Sequence, residues 1–276
     1  MARLELLLRD PNTGVRTAWF TAWQQFQCTR VVNGAGGYAF LTGGEESTEA
    51  NMVELRDLFA LDKGEVVRTL VTLPPEGGEE PPPLLLVTAQ GVMKRLTVAE
   101  VAGTPAGRPA IKLKPGDSVV AAFPAPDGHD LVAVASNAQA MRCDAANVPV
   151  QGRGAGGVTG MKLADGSVVV GAGPADDESI VLTVSDAQTA KVTDASEIPT
   201  RGRATTGVRI TKFRNEKRLE WAYVGREEGL LLVVGSEGAP SKPDPAPEPL
   251  TIPHTARDLV SKKTRRRLLA VGFGRW

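Results

Sequence analysis

Two glycine-rich loops, each holding an arginine, are the stretches of this chain best suited to chemistry. The first is Gln151-Gly152-Arg153-Gly154-Ala155-Gly156-Gly157, and the second is Arg201-Gly202-Arg203-Ala204-Thr205-Thr206-Gly207. A guanidinium is a permanent cation with a fork of N–H donors. Backbone without bulky side chains leaves its amides free to face an anion. Such a pairing captures phosphate and makes or breaks no bond. Glycine also serves turns that need positive φ or close backbone approach, so the glycines alone carry a structural reading too.

Groups that make bonds are scarce. His129 and His254 are the only histidines, and Cys28 and Cys143 the only cysteines. That leaves neither a tetrahedral metal site nor a disulfide framework. His129 lies in a Pro-Asp-Gly-His-Asp turn with no nucleophile at a recognisable spacing. Gly14, Gly34, Gly36 and Gly37 lack the strand–Gly-x-Gly-x-x-Gly–helix context of a nucleotide site. No catalysis, metal or cofactor is expected in this chain.

The loops belong to a repeat. Pro149/Pro199, Gly152/Gly202, Arg153/Arg203, Gly157/Gly207, Val158/Val208 and Lys162/Lys212 match at an interval of 50 residues. Gly107 and Lys112-Leu113 precede Gly157 and Lys162-Leu163 by the same interval. Apolar runs ending in a cation lie upstream of each loop: Leu84 to Arg95, Leu131 to Arg142 and Ile180 to Lys191. A fourth run starts at Leu230 and fades after Gly238, and a partial unit precedes Pro74. A period of this length means small sheets that bury their faces only against neighbouring copies. The 30 Gly and 20 Pro suit many turns, and an aromatic share of 5% leaves a core of small branched side chains, which favours strands. The cations that end the runs, Lys94, Arg95, Arg142 and Lys191, are expected on an exposed sheet edge, where charge also guards against aggregation.

Formal net charge is +0, but the charge is segregated. Residues 1–130 carry 12 Lys and Arg against 16 Asp and Glu, and residues 131–276 carry 20 against 16. Arg201, Arg203, Arg209, Lys212, Arg214, Lys217 and Arg218 face only Glu216 within their segment, and no acid follows Asp258. Local patches, more than the total, set affinity for a polyanion. The leucines at the N-terminus are interrupted by Glu5 and closed by Arg9-Asp10, too short a run for a signal peptide or a membrane span. A soluble, cytoplasmic, nucleoid-associated location is expected.

Residues 1–235 read as one domain, in which 84–235 hold the clear repeats and 1–60 a poorly matched first unit. Glu45 to Asn51 is an acidic loop, and Glu76 to Pro83 a solvated connection. Residues 236–253, with six prolines, read as an extended connector. Residues 254–276 form a basic tail that either packs back as a strand or helix or stays free.

Taken together, the residues show a resemblance. A strand ending in Thr/Ser-x-x-Gly-x-x-Lys-Arg, a Gly-Arg-x-x-x-Gly-Val loop and a Gly-Asp or Asp-Gly turn resemble one family. It is the C-terminal β-pinwheel domain of the DNA-binding subunit of type IIA topoisomerases, DNA gyrase and topoisomerase IV. The likeness covers roughly Leu61 to Val234. It implies an all-β fold, a propeller-like pinwheel of about five four-stranded blades that bends duplex DNA around its rim. Implied DNA contacts are Arg153, Arg203, Arg201, Lys162, Arg209, Lys212, Lys94, Arg95, Arg142 and Lys191. Gyrase carries a box of the form Gln-(Arg/Lys)-Arg-Gly-Gly-(Arg/Lys)-Gly. Here Gln151, Arg153, Gly154 and Gly157 agree, Gly152 and Gly156 replace cations, and Ala155 replaces a glycine. Losing two cations weakens the grip on a wrapped segment. The degenerate box is therefore closer to topoisomerase IV than to a supercoiling gyrase. The breakage–reunion domain with its catalytic tyrosine has no counterpart, since Tyr38 and Tyr223 sit in strand-like contexts. Tyrosyl–DNA cleavage with Mg²⁺ and ATP-driven strand passage would belong to the rest of the DNA-binding subunit and to the separate ATPase subunit.

Other readings stay open. A propeller that binds proteins through its rim or channel predicts weak, salt-insensitive DNA association. A propeller hydrolase or lectin needs carboxylates or histidines converging on the axis, which the repeat does not supply.

Overall fold

The apolar runs form the middle strands of a series of antiparallel sheets. The computed structural model describes residues 2–8, 16–22, 26–28, 41–43, 67–73, 80–101, 109–235 and 248–273. The acidic loop at 45–51, residues 76–79 of the connection at 76–83, Gly107 and residues 236–247 lie outside them. In the N-terminal part, β1 (Ala2–Leu8) pairs with β2 (Arg16–Ala22) and with β5 (Val67–Leu73). Between them in sequence, β3 (Phe26–Cys28) pairs with β4 (Leu41–Gly43).

Three four-stranded sheets follow. Strands β6 (Leu84–Thr88), β7 (Val92–Leu96), β8 (Val119–Pro124) and β11 (Val158–Thr159) take the order β11-β7-β6-β8. Strands β9 (Asp130–Ala135), β10 (Gln139–Asp144), β12 (Val169–Ala175) and β15 (Val208–Arg209) take the order β12-β9-β10-β15. Strands β13 (Ile180–Ser185), β14 (Thr189–Asp194), β16 (Leu219–Gly225) and β19 (Lys262–Lys263) repeat it as β16-β13-β14-β19. A last sheet joins β17 (Leu230–Val234) to β18 (Glu248–Pro249) and β20 (Leu268–Phe273). One helical turn, α1 (Val98–Val101), and two 3-10 turns at Ala145–Asn147 and Ala195–Glu197 complete these units. Five sheets of three or four strands, together with the β3–β4 pair, therefore make up the described fold, which is all-β as expected.

The connectivity staples blade to blade. Each central hairpin receives one edge strand from its own unit and the other from a later loop: β11 returns to β7, β15 to β10 and β19 to β14. Strand pairing is thus what the basic segment after residue 254 adopts through β19 and β20. Glu248–Pro249, inside the stretch read as a connector, also pairs, with β17.

The run Leu84-Leu85-Leu86-Val87 does not alternate apolar with polar because both faces of β6 are covered. Leu84 and Leu86 join one core, and Leu85 and Val87 the next. Likewise Leu131, Ala133 and Ala135 of β9 face back while Val132 and Val134 face forward. Ile180, Leu182 and Val184 of β13 enter a further core, and Val181 the one before it. Each middle strand is a wall shared by two cores, which is why the repeats need one another. Burying one such side chain fully contributes about 1.5–3 kcal/mol.

Strands β5, β8, β12 and β16 lie against one another in succession and form the inner edges of the blades. Glycines allow this approach: a Cβ on Gly171 would sit 2.2 Å from the Ala222 carbonyl oxygen. On the opposite edges lie β11 and β15, which follow the two glycine-rich loops, and β19.

Candidate nucleic-acid interface

The outer edges decide which cations can meet a ligand. Lys94, Arg95, Arg142 and Lys191, expected on an exposed edge, are instead 0%, 4%, 9% and 2% exposed. The Lys94 ammonium donates to the carbonyls of Ala110 and Arg153 at 2.9 Å and of Ala155 at 3.1 Å. Lys191 donates to the carbonyls of Ile210 and Leu259 at 3.0 Å and to that of Ala256. Burial pulls both ammonium groups down to about 8. Their donors satisfy loop carbonyls that would otherwise lack partners, so these lysines hold the loops from behind. Arg95 reaches the Val148 carbonyl at 2.6 Å, the Ala125 carbonyl at 3.2 Å and Asp127 at 2.5 Å. Arg142 reaches Asp130 at 2.6 Å, Asp177 at 3.0 Å and the Ala195 carbonyl at 3.3 Å. These four residues bind the protein to itself. Their side chains are already spent, because a strand with neighbours on both faces has no free side on which to display a cation.

Other expected residues do face water. Lys162, Arg201, Arg203, Arg209 and Lys212 are exposed, and so is Lys112. The amide of Lys112 donates to the Ala155 carbonyl at 3.2 Å, that of Lys162 to Thr205 at 2.9 Å and that of Lys212 to Leu259 at 3.1 Å. Each loop therefore lies along the next, and the three lysines recur at the successive junctions. Among the described residues no carboxylate pairs with Arg201, Arg203, Lys162, Arg209 or Lys212. Arg203 uses Nε on the Asn147 carbonyl and Nη1 on the Thr159 carbonyl, both at 3.0 Å, and so also ties its loop to the preceding one.

Arg153 is only half-exposed. Its amide donates to Glu100 at 3.2 Å, its carbonyl accepts from Lys94, and its Nε is buried without a partner. Around it, the Gln151 amide donates to the Arg95 carbonyl at 2.8 Å, and the Ala155 amide closes a turn on Gly152 at 3.0 Å. Gly152, Gly154 and Gly156 are exposed. Gly157 and Gly207 have a structural duty: φ is +81° and +80°, and a Cβ would sit 2.6 Å from the Met93 carbonyl and 2.2 Å from the Ala140 carbonyl. Gly154 and Gly202 have open space.

One rim element escaped the sequence reading. The segment around Arg257 is a further copy of the loop: His254 bridges Val192 as Thr200 bridges Arg142 and Val150 bridges Arg95. Lys262 then faces Ala190 where Val208 faces Ala140 and Val158 faces Met93. Its spacing from the preceding copy is 54 residues rather than 50, and Gly-Arg has become Ala256-Arg257. Counting the interval from the far side of the prolines would have found it. Arg257, Lys262 and Lys263 thus extend the rim.

Burial pushes the Cys143 thiol up to about 12 and raises the Tyr223 hydroxyl as well, which donates to the Arg226 carbonyl at 2.8 Å. No metal-competent cluster occurs, and no helix is long and apolar enough to cross a membrane, among the described residues.

Residues 82–126, 129–176 and 179–224, together about half of the chain, match a family model described as the DNA gyrase C-terminal domain, beta-propeller. No curated protein matches the chain by sequence. Among solved structures, the C-terminal domain of DNA topoisomerase IV is similar with a TM-score of 0.67 and 16% identity, covering 98% of this chain and 92% of that one. A DNA gyrase A C-terminal domain gives a TM-score of 0.62 at 17% identity over 98% and 99%. The E. coli ParC C-terminal domain gives 0.56 at 16% identity over 99% and 98%. At these identities the likeness is one of fold.

Proposed function

Given that this chain belongs to the DNA gyrase C-terminal domain family of beta-propellers, we propose that it binds duplex DNA along its outer rim and bends it. The observation that carries this reading is the recurrence of exposed cations without carboxylate partners where successive loops join, Lys112, Lys162, Arg203 and Lys212, with the half-exposed Arg257 continuing the series. Phosphates recur along a duplex regardless of sequence, and so do these cations along the rim. Binding is therefore tolerant of sequence and driven by counterion release. Bending brings more phosphates to the rim than a straight duplex offers. In this reading the bent segment is handed to strand passage carried out by the remaining domains of a type IIA topoisomerase and its ATPase partner, on chromosomal DNA. Magnesium, ATP and the cleaving tyrosine belong to those parts. The box lacks cations at Gly152 and Gly156, so wrapping of fixed hand is weak or absent.

The test is a duplex titration at several salt concentrations. Wild type loses affinity steeply with salt, and Lys162→Ala/Lys212→Ala gives a slope shallower by about 2, one unit per phosphate contact. Both side chains are exposed, so the double variant keeps its stability. A flat salt dependence in wild type overturns the reading and favours a protein-binding propeller.

A further inference from the structure

The two ends of the blades carry opposite charge. Asp130 lies opposite both Asp144 and Ala175, and Ile180 opposite both Asp194 and Gly225, so the turns between blades gather at one end with the 3-10 turns. Asp127, Asp176, Asp177, Glu178, Glu227 and Glu228 occupy that end. Among the described residues several cations that reach this end are paired with its acids: Arg95 with Asp127, Arg142 with Asp130 and Asp177, Arg226 with Asp176 and Glu178, and His254 with Asp194 and Glu227.

At the other end stand the hairpin tips and the turns that precede β8, β12 and β16. Arg214, Lys217, Arg218 and Lys263 are exposed there, and so is Arg265, whose neighbour Thr264 hydrogen-bonds the Gln188 tip. None of the five pairs with a carboxylate among the described residues. Nearby acids are occupied by neutral donors. Asp186 accepts the Lys217 amide at 3.1 Å, and Glu216 accepts the Arg214 amide at 2.6 Å and the hydroxyls of Thr189 and Ser261 at 2.8 and 3.0 Å. Asp165 and Glu220 are the exposed acids that remain there.

A duplex lying on the rim is wide enough to overlap both ends, and the two fields push it the same way. We propose that bound DNA leans onto the hairpin-tip end, where Arg214, Lys217, Arg218, Lys263 and Arg265 form a second row of phosphate contacts, and is held off the acidic end. The proposal rests on the rim-binding reading and adds a direction to it. The bound segment is displaced along the blade edges in a direction set by the position of the charges, not by the box.

Tethered cleavage tests it. An iron chelate is attached to a cysteine at Asn215 or, separately, at Glu228, in a chain carrying Cys28→Ser. With duplex bound, the Asn215 label cuts the backbone and the Glu228 label does not. A parallel arm, Arg214→Gln/Lys217→Gln/Arg218→Gln, shows a salt slope shallower by up to about 3, roughly one per contact. A complex that forms but is cut equally from both labels, or from Glu228 alone, overturns the lean while leaving rim binding standing. An unchanged slope in the triple variant does the same. Absence of any complex sinks both.

Discussion

Arg257 donates to the carbonyl of Arg209 at 3.2 Å, and Arg203 makes the same bond to Thr159 at 3.0 Å one blade earlier. The two arginines lie at one repeat position although their spacing departs from the period of 50. Each fastens its loop to the loop before, with part of its fork still open to a phosphate. Arg257→Ala and Arg203→Ala should therefore behave alike: several-fold weaker DNA binding and a salt slope shallower by about 1. Replacement by lysine keeps the slope and loses the fastening, since an ammonium lacks the fork. Fluorescence anisotropy across salt concentrations separates these effects, and a silent Arg257→Ala would remove the last loop from the rim.

Lys94 and Lys191 are structural, and their removal should show in stability. In Lys94→Met the carbonyls of Ala110 and Arg153 lose their donor, for a cost of about 1–3 kcal/mol. The second blade already has Met141 at that position, so the side chain fits. Urea unfolding measures the loss. An unchanged midpoint would mean that water replaces the ammonium without penalty.

The glycines divide into two groups. Gly157→Ala and Gly207→Ala force a Cβ into backbone at positive φ and should destabilise by more than about 1 kcal/mol. Gly154→Ala and Gly202→Ala meet nothing within 4 Å and should lie within about 0.5 kcal/mol of wild type. Thermal unfolding of the four variants checks the division, and equal losses would refute it.

His254 sets a pH dependence of definite sign. Burial alone would lower its pKa, but the carboxylates of Asp194 at 2.6 Å and Glu227 at 2.9 Å outweigh it and raise it above 6.5. A raised pKa contributes stability that is complete below the unfolded value and disappears as pH climbs through the folded one. The return segment should thus be held more firmly at pH 6 than at pH 8, and His254→Gln should flatten that fall. Lys94 and Lys191 act oppositely. Lowered to about 8 by burial, each carries a penalty at neutral pH that is relieved as pH rises from 8 toward 10.5. Unfolding free energies across pH in wild type and His254→Gln test both slopes.

The repeat, the all-β class and the loop positions were legible in the sequence because turns and apolar runs are local in the chain. Gly157 and Val158, with their counterparts Gly207 and Val208, show their register without any coordinates. The last loop was hidden because a proline-rich insertion shifted its spacing, and strand pairing tolerates such insertions between paired segments.

Composition and periodicity by themselves determined that small sheets with a glycine-arginine loop recur around this protein. Only the tertiary structure decided which cations face water. Lys94 and Lys162 are both lysines at repeated positions, yet one is sealed behind a loop and the other faces water. Their difference lies in what the next blade lays over each of them, and burial by a loop 59 to 61 residues further along the chain leaves no trace in the residue type.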